Sequence, residues 1–263
     1  MINIICYITA LAACLIGKIC GMGGGVIIKP VLDAMNIADV STINFISGCT
    51  VIGMTAWSVI KGAIKNEGSI DLHVSTPLAV GAALGGFLGK DLFSLLQSCF
   101  RNPDAAGGIQ AALLFAATFG TLIYTVKKSF LRSYNVRNPL LCVLIGLGLG
   151  ALGAFLGIGG GPFNMAVLFL FFTMAAKAAA RNSLYIILIS QLAAMLKLII
   201  LGSVPVVNLP LLAGMILFGI LGSEIGGKIN KRISDEKVTR LFECSMLLVM
   251  AICVYNMINF FNR

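Results

Sequence analysis

The sequence predicts an all-α polytopic membrane protein made of two inverted-topology repeats, each a glycine-broken helical hairpin plus three spans. Three observations carry that prediction. Apolar runs of about 20 residues, span length, recur along the chain. With a mean hydropathy of +1.00, 59% apolar residues and only 11% charged ones, an ordinary water-soluble domain is excluded. A glycine cluster occurs twice, as Gly21-Met22-Gly23-Gly24-Gly25 and Gly157-Ile158-Gly159-Gly160-Gly161, one copy in each half of the chain. Third, the basic residues that give a net charge of +9 gather in a few loops.

The elements follow in order. The block Ile2 to Met35 is apolar and broken at its glycine cluster, because each glycine costs a helix about 1 kcal/mol relative to alanine. A span from Ser41 to Ile60 ends at Lys61 and Lys65, and a polar loop runs from Asn66 to Ser75. Pro77 is expected to open the next helix, which continues through Gly81, Gly85, Gly86 and Gly89. The loop with Arg101, Asn102, Pro103 and Asp104 precedes a span from Gly108 to Val126.

Residues 1–126 form the first membrane repeat, 127–138 a basic linker with Lys127, Lys128, Arg132 and Arg137, and 139–263 the second repeat. The second repeat restates the plan: a broken block from Leu140 to Met174, a span from Leu184 to Leu201, a helix opened by Pro210, a charged connection from Glu224 to Arg240, and a last span to Phe260. Gly81–Gly89 aligns with Gly214–Gly222, Asp91 with Glu224, and Gly68 with Gly202 after a one-residue slip.

The basic loops fix the topology. Eight plain spans would place Lys127–Arg137 and Lys228–Arg240 on opposite faces. If each broken block makes an even number of crossings, the two halves are inverted, and thirteen of the nineteen basic residues face the cytoplasm with both termini outside. Lys29, Lys90, Arg101 and Arg263 then lie outside, and Lys18 and Lys197 fall within apolar runs.

Other classes have little support. The loop-bound charges fit lipid-facing topology, so a nucleic-acid partner is not expected. The eight cysteines form no Cys-x-x-Cys pair, and neither a metal nor a cofactor is implied. Gly148-Leu149-Gly150-Ala151-Leu152-Gly153 matches a dinucleotide fingerprint literally but lies in an apolar run with no strand before it. No catalytic constellation appears, so an enzyme is not expected. The N-terminus has no basic region ahead of its apolar run, so a cleaved signal peptide is not expected either.

Inverted repeats with broken helices place a substrate near the midplane. After each cluster a short helix is expected to start, at Val26 and Pro162, with unpaired N–H groups and a positive dipole end that suit an anion. The candidate substrate-binding residues are therefore Gly21, Gly23, Gly24, Gly25, Gly157, Gly159, Gly160 and Gly161, with Asn44, Asn164, Asn182 and Ser183 as side-chain ligands. Ser47 and Gln191 are further polar residues near the breaks, and Asn44 aligns with either Asn182 or Ser183. The acids Asp91 and Glu224 read as solvated helix ends or as proton carriers of a coupled transporter, and Lys29 as an attractor of anions or a surface group. The expected partners are a small anionic substrate and the lipid bilayer, with a homo-oligomer left open.

On these residues the chain resembles the TauE/SafE family of sulfite exporters and related membrane transporters. The resemblance rests on the duplicated clusters and on the paired glycine-rich helices, and it covers nearly the whole chain. Pro30 fits the family's proline beyond the first cluster, while Ala166 stands where the second would fall; Asn182-Ser183-Leu184 approximates its Thr-Ser-Leu stretch. The resemblance implies a multi-pass protein of the cytoplasmic (inner) membrane that exports sulfite or an organosulfonate.

Overall fold

The computed structural model describes residues 2–65, 70–99, 103–127 and 134–261, and all regular structure within them is helical. The order is α1 (Ile2–Cys20), α2 (Gly25–Ala34), α3 (Val40–Ile64), α4 (Leu72–Cys99), α5 (Pro103–Lys127), α6 (Pro139–Phe155), α7 (Gly161–Phe172), α8 (Ala176–Ile200), α9 (Leu209–Arg232) and α10 (Asp235–Phe261). Seven of these (α1, α3, α4, α5, α8, α9 and α10) are long and apolar enough to cross a membrane. The short α2 and α7 follow the two glycine clusters, and α6 is a shorter apolar helix of 17 residues.

Local chemistry explains several boundaries. Asp39 holds an extended backbone and its carboxylate accepts from the Thr42 N–H at 3.0 Å, which starts α3. Asn138 and Asn208 cap α6 and α9 in the same way, each followed by a proline in the first turn. Pro77, by contrast, does not open α4. That helix begins at Leu72, because the Asn182 Oδ1 of α8 accepts from the Asp71 N–H at 2.9 Å and from Ser75 Oγ at 2.6 Å. A tertiary cap of this kind leaves no local signal.

The charged stretch Glu224–Arg240 is also not a loop. Helix α9 runs on to Arg232 and α10 starts at Asp235. Lys231 and Arg232 sit in the last turn of one helix, and Asp235 and Glu236 in the first turn of the next, each matching the local dipole. Lys128 and Arg132 of the basic linker lie outside the described residues, as do Gly68, Arg101, Asn102 and Arg263.

Two seams hold the long helices together. Gly85 and Gly89 of α4 lie against the carbonyls of Leu147 and Ala151 on α6, closer than any side chain would permit. Gly222 and Gly226 of α9 do the same against Leu11 and Leu15 on α1. Leu147 and Ala151 stand as far beyond Leu11 and Leu15 as the second glycine cluster stands beyond the first. The structure therefore matches Gly85 with Gly222 and Gly89 with Gly226. This corrects the sequence alignment by one helical turn. Small residues recurring every four positions cannot fix their own register; the partner helix does.

The outer surface is apolar. Leu84, Leu88, Leu92 and Leu95 of α4, and Leu192, Leu196 and Ile199 of α8, are all exposed. Several hydroxyls within the spans are satisfied by their own helix, as Thr50 Oγ1 donates to the Ile46 carbonyl at 2.9 Å and Thr55 Oγ1 to that of Val51 at 2.7 Å. A surface of this kind belongs in a bilayer.

Candidate functional site

The two breaks have closely similar geometry. Gly21 and Gly157 have φ of 69° and 70°, and Gly23 and Gly159 have 67° and 71°. These left-handed values are open to glycine and strained for other residues. The chain then turns back on its own helix, so that Gly23 and Gly24 pack on Gly17, and Gly159 and Gly160 on Gly153. The copies part at the fourth position, where Gly24 has φ −72° and Gly160 +84°. The short helices start at Gly25 and Gly161, one residue earlier than the sequence indicates.

The two breaks also meet, and they meet reciprocally. Gly161 lies against the Met22 carbonyl, while a Cβ on Gly25 would stand 3.3 Å from the carbonyl of Ile158. Gly21 lies against Ala180 and Gly157 against Asn44. In both pairs the partners exchange at the same offset that separates the two clusters. Asn44 therefore corresponds to Ala180, rather than to Asn182 or Ser183, and Ser47 corresponds to Ser183. Ser183 Oγ donates to the Gly21 carbonyl at 2.5 Å and clamps the first turn. Ser47 Oγ is buried beside Gly25 with no hydrogen-bond partner.

A cavity of about 150 Å³ opens on the flank of the second turn. Gly157 and Gly159 form its floor, Asn44 and Gln191 flank them, and Lys90 reaches in from α4. Among the described residues Lys90 is the single charged one lining it, and its Nζ donates to the Ala194 carbonyl at 3.0 Å. Asn44 Oδ1 faces Gly157 without a hydrogen-bond partner, and Gln191 Nε2 lies against Gly159. The backbone donors of this turn are already used: the Gly157 N–H bonds the Ala154 carbonyl, and those of Ile158 and Gly159 bond Gly153.

The predicted site residues are only partly gathered here. Asn44, Gly157 and Gly159 line the cavity. Gly24 packs against Cys14, Gly25 against Ser47 and Val51, and the Asn164 Oδ1 beside Gly160, away from it. Gly21, Gly23 and Gly161 are taken up by the contacts between and within the turns. Asn182 serves as the cap of α4 and donates through Nδ2 to the Ala178 carbonyl at 2.8 Å. Gln191, a polar residue that the sequence places near the second break, lines the cavity, and so does Lys90, which sequence reasoning assigned to the outer loops. For Lys90 the available signal was a cation one residue beyond the Gly85-Gly86-Phe87-Leu88-Gly89 run.

A second cavity, of about 70 Å³, lies at the other end of α3. Among the described residues, Lys18, Lys61, Lys65, Lys228 and Lys231 line it with a single acid, Glu224. Lys18 donates to Ser58 Oγ, and Lys61 pairs with Glu224. Lys197, the counterpart of Lys61 at the offset of the two clusters, pairs with Asp91 at 2.5 Å. The acids Asp91 and Glu224 are therefore ion-paired rather than merely solvated. Among the described residues, no group of three His, Cys, Asp or Glu side chains is placed to hold a metal ion.

The family model "Sulfite exporter TauE/SafE" matches residues 6–253, nearly the whole chain. The chain belongs to the TauE/SafE family. It is thus a multi-pass membrane protein of a transporter family. The chain is also similar to the probable membrane transporter protein YunE of Bacillus subtilis (strain 168), with 22% identity over 271 residues, covering 96% of this chain and 97% of that protein. No solved structure matches. In this TauE/SafE chain the match begins within α1 and ends within α10, so it spans both glycine turns and the cavity beside them.

Proposed function

We propose that this chain is a secondary transporter that carries a small anion, namely sulfite or another sulfur oxyanion or organosulfonate, by alternating access between two inverted halves. One observation carries the reading: a cavity floored by a glycine turn, with amide side chains on its walls and Lys90 as the one charge among the described residues that line it. Such a lining favours an anion by charge and orients its oxygens by hydrogen bonds. The sulfur-anion class follows the family's name.

The reciprocal contacts between residues 21–25 and 157–161 support the inverted pairing of residues 1–126 with 139–263 across the linker 127–138. Two cationic cavities at opposite ends of the 25-residue α3, with the packed turns lying between, favour alternating access over an open channel. In this account Asn44, Gln191 and Lys90 hold the anion, Gly157 and Gly159 let it approach, and the remaining glycines with Asn164, Asn182 and Ser183 shape and brace the turns. The protein lies in the cytoplasmic membrane with both termini outside, as the loop charges favour.

The test is flux in proteoliposomes with sulfite, thiosulfate and methanesulfonate as probes. Saturable flux of at least one of them, reduced at least tenfold by Lys90→Gln, supports the proposal; flux no greater than in protein-free vesicles for all three refutes it.

A further inference from the structure

Helix α2 carries a buried ion pair that the anion site does not account for. Lys29 Nζ and Asp33 Oδ2 lie 2.5 Å apart, one turn from each other, and both side chains are almost fully enclosed. A buried charge pair of this kind is costly to build and holds only while both charges stay matched. The second repeat omits it: at the offset of the two clusters, the same positions are Met165 and Phe169. The pair is therefore no requirement of the fold, since a short apolar helix fills the equivalent place without one.

Two contacts tie this pair to the proposed site. The Lys29 stem lies against Gly157, where an added Cβ would meet Lys29 Cε at 2.9 Å and Asn44 Oδ1 at the same point. Lys29 and Asn44 thus flank the glycine that floors the cavity, and the Asn44 Oδ1, an acceptor with no partner, stands open to the Lys29 ammonium. On its other side, the Asp33 Oδ1 is buried with no hydrogen-bond partner. Asp33 also lines a separate cavity of about 140 Å³ with Asn36, Asp39 and Phe260. Asn36 and Asp39 are exposed, so that cavity leads from the surface to the carboxyl group.

The groups facing the pair are few. From α10, Cys253 lies within electrostatic reach of both charges, and Asn256 donates to the Pro30 carbonyl at 2.9 Å. At the start of α3, Asp39 shares the cavity, with its carboxylate accepting from Thr42 N and Oγ1. From α1 the group against the start of α2 is the Cys14 thiol. Across the second turn the neighbours are Asn44 and the backbone of Gly157.

We infer that Lys29 and Asp33 form a proton-coupling switch for the anion site. This rests on the anion-transport reading above. With the site empty, the ammonium and carboxylate neutralise each other. An anion arriving beside Asn44 draws the Lys29 ammonium off Asp33 by rotation of its own stem. The three charges then sum to one negative in a poorly polarisable setting, unless Asp33 takes up a proton through the cavity it shares with Asp39. Anion and proton bind together and leave together, so each monovalent anion moves with one proton in the same direction. By linkage, each ligand raises the affinity of the other by the same factor.

The experiment uses the full chain in proteoliposomes with a pH-reporting dye inside and the same three probes outside. Wild-type protein is expected to acidify the interior when given an inward gradient of methanesulfonate, a monovalent anion that carries no proton near neutrality. Asp33→Asn is expected to carry the anion while interior acidification falls at least tenfold. The double variant Lys29→Gln with Asp33→Asn leaves no buried charge unmatched, so it serves where the single variant does not fold. It is expected to lose at least tenfold in anion affinity and to move no protons. Wild-type anion flux without acidification overturns the inference and leaves the transport reading intact. So does acidification by either variant at the wild-type rate. No flux of any probe overturns both.

Discussion

The backbone of Gly161 rests directly on the carbonyl of Met22, and the carbonyl of Ile158 returns the contact to Gly25. Each half thus supplies the glycine that the other half's turn leans on. A side chain at position 161 has nowhere to go, since the atom it meets is backbone.

Gly161→Ala is therefore expected to destabilise the protein by about 1–3 kcal/mol, the range for overpacking a tight contact, and to abolish flux. Gly120→Ala is the matched control: nothing lies within 4 Å of the added methyl group, so the helix gains up to about 1 kcal/mol. Thermal unfolding in detergent with parallel flux measurements checks both.

Asn44 is expected to matter for affinity rather than for folding, because its Oδ1 has no protein partner to lose. Asn44→Ala removes the charge-assisted hydrogen bond that its Nδ2 amide donates to the anion, worth about 1.5 kcal/mol or roughly tenfold in Kd. Gln191→Ala is expected to act similarly, whereas Asn182→Ala weakens the start of α4 and lowers stability instead. Titration of the purified variants with sulfite, set beside their melting temperatures, separates the two classes.

The lysines one repeat apart, Lys61 with Glu224 and Lys197 with Asp91, are expected to hold the two ends of the transporter closed in turn. A partly exposed ion pair worth up to about 1 kcal/mol shifts a two-state population by up to roughly fivefold. Glu224→Gln should raise labelling of a cysteine placed at Ser58 by a membrane-impermeant thiol reagent and lower that of one at Ala194. Asp91→Asn should do the reverse. Equal effects at both positions would contradict the assignment.

Asp39 gives a pH signature. Burial alone would raise its carboxyl pKa, but the hydrogen bonds from Thr42 outweigh that and hold it below the usual carboxylate value. A carboxylate depressed in the folded state stabilises above its unfolded pKa and loses that contribution as pH falls through the folded one. Stability is thus expected to drop only in the acidic range. Asp39→Ala should cost about 1 kcal/mol at neutral pH as a lost helix cap, and the deficit should shrink in acid. Melting curves from neutral to acidic pH check it.

The sequence showed the spans, the two breaks and their spacing because those rest on local properties: hydropathy, and the penalty of successive glycines in a helix. The start of α6 at Pro139 was legible for the same reason. What depends on contacts between distant helices was not. Asn182 reads as a ligand candidate but is a cap for α4, and Pro77 reads as a helix start but lies inside a helix begun earlier. Lys90 reads as an outer-surface cation, yet the α4–α6 seam turns it towards Gly157 and Gly159. Lys29 gave no sign of its burial, because an acid one turn away has the same spacing in an exposed helix.

The most direct test of the central claim is sulfite flux through purified protein carrying Gly157→Ala, set against wild type and Gly120→Ala. A methyl group at residue 157 falls on the Asn44 amide and on Lys29 Cε, so it fills the floor of the cavity. The account predicts saturable flux in wild type and Gly120→Ala, and a loss of at least tenfold per folded molecule in Gly157→Ala, whose left-handed backbone also lowers stability. Undiminished sulfite flux and affinity in folded Gly157→Ala would contradict it.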